Sequence, residues 1–278
     1  MIPKKRKVNN ISCPICEQKK LKSKFTYKKP PKNEVDFGIP LKKYYREYLK
    51  CKICGHFYST VKNLNPETLY KGDFNNSIYM ENFNKTFQRI IKLPKKNSDN
   101  FYRVKKIDNF CKKFFKDYKN ISILDVGSGL GVFPYAIKKK GLKIDCIDPD
   151  QKSVDHLNNK LKIKAICGDF LKIRNKKKYN VVTFNKVLEH VQNPSSLLNH
   201  TKGFLQKNSL VYIELPDGEL ASISQKGKFC EEFFIDHIHV FSATSLSLLI
   251  KNSGFKLISM SRYVEPSNKI TISAFCKI

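Results

Sequence analysis

The sequence predicts an α/β protein: a doubly wound, mostly parallel seven-stranded sheet preceded by a small module built on cysteine knuckles. Three observations carry that expectation. From Ile121 onward, short apolar runs of strand length alternate with amphipathic segments of helix length, the pattern that parallel sheets with crossover helices require. The first of those runs ends in a glycine-rich turn, Gly127-Ser-Gly129-Leu-Gly131. Upstream, Cys13-Pro-Ile-Cys16 and Cys51-Lys-Ile-Cys54 form two Cys-x2-Cys pairs with 34 residues between them.

In order, strands are expected at Ile121–Val126, Leu142–Ile147, Ile163–Cys167, Tyr179–Phe184 and Leu210–Leu215. Helices fall between them at Val132–Lys140, Gln151–Leu161 and Ser195–Gln206, with another at Ser245–Lys251 ending near Gly254. Lys256–Tyr263 and Lys269–Lys277 close the chain as an antiparallel pair. Before the sheet, Phe101, Val104, Ile107, Cys111, Phe114 and Tyr118 form a 3.6-residue apolar stripe on a lysine-rich helix. This divides the chain into a cysteine module with a basic tail (1–60), a polar and aromatic connector with one or two short helices (61–98) and the α/β domain (99–278).

Composition bounds the function classes. The chain has 278 residues, 41% of them hydrophobic, which is enough for a buried core. No apolar run reaches the ~20 residues of a spanning helix, and no signal-peptide pattern follows Met1. A cytoplasmic protein with reduced thiols is expected. The net charge of +29 asks for an anionic partner. However, 47 of the 53 basic residues are Lys, a compositional habit rather than the Arg enrichment of geometric phosphate recognition. The charge is also uneven: residues 1–120 hold 30 basic and 10 acidic side chains, net +20, leaving net +9 for the rest. Pro3-Lys4-Lys5-Arg6-Lys7-Val8 is similar to a nuclear-localisation hexamer, and in so lysine-rich a chain it reads as a basic tail.

Each cysteine pair can aim two thiolates at one ion, and together Cys13, Cys16, Cys51 and Cys54 complete a tetrahedral S4 set for a structural Zn2+ in a zinc-ribbon-like module. Gly55 suits the positive-φ turn after the second pair. Tyr48–Lys50 and His56–Tyr58 read as the arms of a hairpin. His56 is a conceivable substitute ligand, more in keeping with a surface residue. Cys111, Cys146, Cys167 and Cys276 fall on apolar positions and read as core residues.

The glycine spacing is shorter than the G-x-G-x-x-G of dinucleotide sites and follows Asp125 at a strand end. That suits a ligand without a pyrophosphate, with Asp125 ordering the turn's amides and meeting a cationic amino group. Asp148, at the tip of the second strand, can accept both ribose hydroxyls, and Asp169, at the tip of the third, an adenine amine. Ribose, adenine and a cationic tail without phosphate describe S-adenosylmethionine.

Ile123-Leu-Asp125-Val-Gly127-Ser-Gly129-Leu-Gly131 resembles the first motif of class I S-adenosylmethionine-dependent methyltransferases, which have a Rossmann-like fold. Asp148 and Gly168-Asp169 match that family's later cofactor acids. Asn185-Lys-Val-Leu-Glu189-His190-Val191 resembles its "LEHV" segment, and Ile213–Asp217 its fifth strand end. Asp236-His237-Ile-His239-Val-Phe241-Ser242 resembles a loop of the subgroup in which an N-terminal pair of cysteine knuckles recurs. The resemblance implies a cofactor set of Asp125, Gly127, Gly129, Gly131, Asp148, Asp169 and Asn185. It also implies a small-molecule acceptor of the sugar, nucleotide-sugar or glycan-pathway class.

A base for the acceptor's proton is expected among His239, His237 and Glu189, with His190 a further candidate. His237 and His239 alternate with Ile238 and Val240, which places both on one side of an extended segment. The chain has neither the Asp/Asn-Pro-Pro-aromatic stretch of base-amino methyltransferases nor a Pro-Cys nucleophile pair in the expected place. Two alternatives stand: an RNA methyltransferase whose basic zinc module holds phosphates, and a non-catalytic zinc nucleic-acid-binding protein with a degenerate methyltransferase domain.

Overall fold

The computed structural model describes residues 11–61, 83–174 and 177–278. The hexamer at 3–8 and most of the connector lie outside them.

The cysteine module begins with β1 (Leu21–Tyr27), β2 (Arg46–Cys51) and β3 (Phe57–Val61). β2 and β3 are the expected hairpin, antiparallel with Lys50 opposite Phe57, and β1, which the sequence reading did not identify, pairs with β2. Helices α1 (Phe83–Ile91) and α2 (Asp99–Phe114) follow. Ser98 caps α2 by accepting from the Phe101 amide, and the buried stripe is Val104, Ile107 and Cys111.

The α/β domain then alternates as the sequence requires. It runs β4 (Ser122–Val126), α3 (Val132–Lys139), β5 (Lys143–Asp148), α4 (Gln151–Asp155), β6 (Ala165–Cys167) and β7 (Tyr179–Asn185). α5 (Pro194–Thr201), β8 (Leu205–Pro216), α6 (Gly218–Ile223), β9 (His239–Val240), α7 (Ala243–Asn252), β10 (Lys256–Val264) and β11 (Ile270–Lys277) complete it. The expected helix through Leu161 leaves α geometry at His156 for a π-helical turn over His156–Lys160, the local widening that marks a register change in a helix.

The seven-stranded sheet has the order β10-β11-β8-β7-β4-β5-β6. β4, β5, β6, β7 and β8 pair in parallel, and β11 runs antiparallel to both β8 and β10. Alternate residues of the central strands feed two separate cores, as strand pleating dictates. Ile123, Val181, Leu210 and Tyr212 pack with α2 and α3, whereas Leu124, Val182, Val211 and Ile213 pack with α5 and α7. The chain winds outward from β4 in one direction through β5 and β6, then returns to β7 on the other side of β4. That reversal opens a crevice at the carboxyl ends of β4 and β7, where open α/β sheets bind ligands.

The module is fused to this domain rather than appended to it. β9, a two-residue strand following the loop after α6, becomes the fourth strand of the module's sheet, with Tyr58 opposite His239. A third core collects Tyr27, Tyr44, Tyr48 and Phe57 from the module and Cys230, Phe233, Ile235 and Val240 from the loop. Arg46, fully buried, is held by Glu34 at 2.7 Å and donates to the Phe233 carbonyl at 2.5 Å. Its guanidinium stacks on the Tyr27 ring at 4.1 Å. Glu34 also accepts from the Ile235 amide at 2.8 Å, and the Tyr48 hydroxyl donates to the His237 carbonyl at 2.6 Å.

Of the cysteines expected in the core, Cys111, Cys146 and Cys276 are buried, but Cys167 is exposed. It sits at the end of the three-residue strand β6, the edge of the sheet among the described residues.

Removing the guanidinium leaves Glu34 as an unpaired buried charge, so Arg46→Ala should lower unfolding stability by ~3–5 kcal/mol in denaturant titration. An unchanged midpoint would show that the pair contributes nothing net.

Candidate functional site

The crevice is built from strand ends. β4 delivers Asp125 and runs into the glycine turn, whose last residue, Gly131, is the N-cap of α3 at φ 74°. A Cβ on Gly127 (φ 74°) would lie 2.6 Å from Val187, so the turn packs directly on the segment after β7. A Cβ on Gly129 (φ 47°) would meet nothing within 4 Å. The turn is therefore closed on the protein side at Gly127 and open at Gly129, a cradle along which a ligand can lie against backbone.

Asp148, at the tip of β5, accepts from the Gly129 amide at 2.7 Å and from the Asp150 amide at 2.9 Å. It is Asp148, then, that orders the turn's amide. Asp125 instead accepts from the Thr183 hydroxyl at 2.6 Å and the Asn185 side-chain amide at 2.8 Å, both on β7. Two acceptor lone pairs of Asp148 remain for hydroxyls, since an ionised carboxylate offers about four. Burial pushes the carboxyls of Asp125 and Asp148 up to about 6.

The Asn185 Oδ1 is buried and, among the described residues, lacks a partner. A buried amide oxygen without a donor is costly, and here it adjoins an aspartate in an open crevice, which fits an ammonium group. Asp169 lies on the surface past β6, half exposed, with one oxygen accepting from the Leu171 amide at 3.0 Å.

Three basic residues that the sequence reading missed gather around Glu214 and Glu265. Arg103 of α2 donates to Glu214 at the end of β8 at 2.5 and 2.8 Å. Lys186, in left-handed backbone at φ 59°, donates to Thr271 at 2.6 Å and lies 3.2 Å from Glu265. Burial lowers the Lys106 ammonium to about 8. Lone polar residues on a helix or strand end carry no spacing signal, so only the tertiary fold brings them together.

The four cysteine sulfurs lie within 4.8 Å of one another. Cys13–Cys54 and Cys16–Cys51 are 3.6 and 3.5 Å apart, close to the ~3.8 Å edge of a tetrahedron with 2.3 Å metal–sulfur bonds and far from the ~2.05 Å of a disulfide. The knuckles repeat each other: Glu17 donates to Cys13 O, Gly55 to Cys51 O, and both residues have φ of 60–71°. Ser242, N-cap of α7, donates to the Cys54 carbonyl at 2.5 Å and so ties the second knuckle to the α/β domain.

The candidate bases separate. His239 is fully buried: Nδ1 faces His56 Nε2 at 3.0 Å and Nε2 faces the Gln192 carbonyl at 3.3 Å. Burial lowers its imidazole to about 4. His56, expected at the surface, is fully buried as well, because the β3–β9 pairing covers it. His237 has different neighbours, since a turn bond from its amide to Phe234 O delays the strand until His239. Glu189 is fully buried beside His190 and His237.

A family profile described as a methyltransferase domain matches residues 97–260. The chain belongs to that family and is a class I S-adenosylmethionine-dependent methyltransferase. Among curated proteins, it is 25% identical over 163 residues to a ubiquinone biosynthesis O-methyltransferase of Pelagibacter ubique, covering 57% of this chain and 61% of that one. It is 28% identical over 105 residues to a malonyl-[acyl-carrier protein] O-methyltransferase of Ilyobacter polytropus, covering 35% and 40%. The chain thus spans less than two thirds of the curated relatives it matches. Among solved structures it is similar to the plantazolicin methyltransferase BpumL in complex with SAH, with TM-score 0.57, 17% identity and coverage of 76% and 93%. It is also similar to a Burkholderia thailandensis 1,6-didemethyltoxoflavin-N1-methyltransferase, with TM-score 0.56, 9% identity and coverage of 87% and 98%. At these identities the likeness concerns the fold.

Raised carboxyls have a signed consequence. Against an ordinary value of 3.8, their contribution to stability is present below pH 4 and lost as pH rises through about 6. Ribose hydroxyls and an ammonium favour the ionised forms. Calorimetric affinity for S-adenosylhomocysteine should therefore fall below pH 6, up to about tenfold per unit, and Asp148→Asn should flatten that dependence.

Proposed function

We propose that this chain transfers the methyl group of S-adenosylmethionine to a hydroxyl of a small acceptor of the sugar or nucleotide-sugar class. Asp148 receives the ribose, Asp169 the adenine amine, and Asp125 with Asn185 the cationic end, along the Gly127–Gly131 cradle. The bound cofactor supplies an activated methyl on its sulfonium. The protein's own part is to align the acceptor, exclude water and receive a proton. The observation that carries this reading is the unpartnered Asn185 Oδ1 held beside Asp125 at the β4/β7 crevice.

A small acceptor is supported by the loop over residues 227–240, which packs against the segment after β7. The amides of Ile238 and His239 both donate to Glu189 O, at 2.8 and 3.0 Å. Tyr27, Arg46 and Tyr48 hold this loop from the module side. We assign Glu189 and His237 to the acceptor end of the crevice, next to the hydroxyl that gives up its proton. His239, with both ring nitrogens engaged, holds the loop to the module. Zn2+ on Cys13, Cys16, Cys51 and Cys54 has a structural role, because four thiolates leave no open position.

One observation favours RNA as a second reading. A groove of about 700 Å3 beside the second knuckle is lined by Lys22, Lys24, Lys50 and Lys52, which suits a phosphate backbone or an anionic acceptor. Among the described residues no helix is long and apolar enough to cross a membrane.

A screen with methyl-labelled cofactor over nucleotide-sugars, glycans and total RNA tests the reading. Small-molecule labelling that falls at least tenfold in Asn185→Leu is expected. Labelling of RNA alone, declining steeply with salt, would transfer the assignment to the second reading, and absence of cofactor binding would remove both. Cys51→Ser should release zinc and lower the melting temperature.

A further inference from the structure

Glu189, His190 and His237 form a second cluster, separate from the cysteines, in which one ligand atom from each lies within 4.8 Å of the others. Its centre is an anomaly. Glu189 has no solvent exposure, and among the described residues neither of its carboxylate oxygens has a hydrogen-bond partner. Burial raises the Glu189 carboxyl, with His190 and Lys186 beside it acting against that rise. An unsatisfied buried carboxylate is among the costlier features a fold can retain.

The two imidazoles point to what would satisfy it. His190 Nδ1 lies 2.9 Å from the Asp236 carbonyl, and His237 Nδ1 lies 2.8 Å from the Glu232 carbonyl. A carbonyl only accepts, so in each neutral ring the proton sits on Nδ1 and the lone pair on Nε2. His190 Nε2 is 4.0 Å from Glu189 Oε1. A lone pair turned toward a carboxylate oxygen repels it unless a proton or a cation lies between. Fixing Nδ1–H on a backbone carbonyl is how proteins set the tautomer of metal-ligating histidines. The rings lie 4.9 Å apart, and Asp236 Oδ2 stands 3.9 Å from His190 Nδ1 and 3.8 Å from His237 Nε2, a nearby anion for the outer sphere.

We propose that Glu189, His190 and His237 bind one first-row divalent cation, a two-histidine, one-carboxylate set distinct from the S4 site. Two nitrogens and an oxygen suit Zn2+, Co2+, Ni2+, Mn2+ or Fe2+ over Mg2+ or Ca2+. Three protein ligands leave open positions, one of which an acceptor hydroxyl could take. That last role rests on the methyl-transfer reading, whereas cation binding does not.

The test adds Co2+ to full-length protein whose cysteine site is already filled with zinc, and follows the visible spectrum and the bound metal by equilibrium dialysis. Expected are one Co2+ per chain, weak bands of nitrogen and oxygen ligation without sulfur charge transfer, and retention of the zinc. Binding should weaken at least thirtyfold in Glu189→Gln and in His237→Gln. Because Glu189→Gln replaces a buried group, His237→Gln is the partially exposed control for folding, with zinc content and circular dichroism unchanged. No Co2+ bound at about 1 mM free metal, a sulfur charge-transfer spectrum, or undiminished binding in both variants would overturn the proposal. Cation binding without methyl transfer would leave this site standing while removing the functional reading.

Discussion

The pairing of β3 with β9 is the constraint on which the remaining geometry depends. Among the described residues two pairs form it, Phe57 with Val240 and Tyr58 with His239, yet they join the cysteine module to the loop beside the crevice. The His56–His239 contact and the Ser242–Cys54 bond flank the pairing, and Arg46 with Glu34 fixes the loop backbone from below. These interactions are buried polar ones, individually modest or even unfavourable against an apolar alternative. They confer orientation: a hydrogen-bonded arginine accepts one loop position where a leucine would accept several.

At the other end of the same physics lie the acids. Asp125 and Asp148 are held away from water at strand tips, and Glu189 more completely still. Burying carboxylates is costly to a folded chain: protein donors offset part of that cost at Asp125 and Asp148, and a ligand's counter-charge or donors would offset more. Stability is given up at the crevice and recovered in the two apolar cores that sandwich the sheet, where Val181, Val182, Leu210, Val211 and Ile213 are fully buried.

How much was legible beforehand follows from the range of each signal. The seven strands and their order of appearance are local, written in apolar runs of Ile, Val and Leu, and the glycine turn and cysteine pairs are written in fixed spacings. The cradle residues Asp125, Gly127, Gly129, Asp148 and Asn185 meet because strand tips meet. β1 escaped because the run Lys22-Ser23-Lys24 breaks the apolar alternation of Leu21–Tyr27, and β9 because two residues have no period. The same applies to Arg103, Lys106 and Lys186. Periodicity suggested that His237 and His239 share a face, and a single turn bond to Phe234 O undoes it. Asp125 and Asp148 exchanged the task of ordering the turn's amide, since a carboxylate at a strand tip reaches whichever neighbour the sheet order supplies.

The His56–His239 contact joins residues 183 positions apart. At ribosomal rates of about 5–20 residues per second, the cysteine knuckles wait roughly 10–40 s between their own synthesis and the arrival of their fourth strand. During that interval the knuckles' local contacts and any captured ion are all that organise the newborn segment, while the apolar side of β3 lacks its cover. The order of events at the tunnel exit, knuckle turns first and strand completion last, is thus set by where two residues sit in the chain.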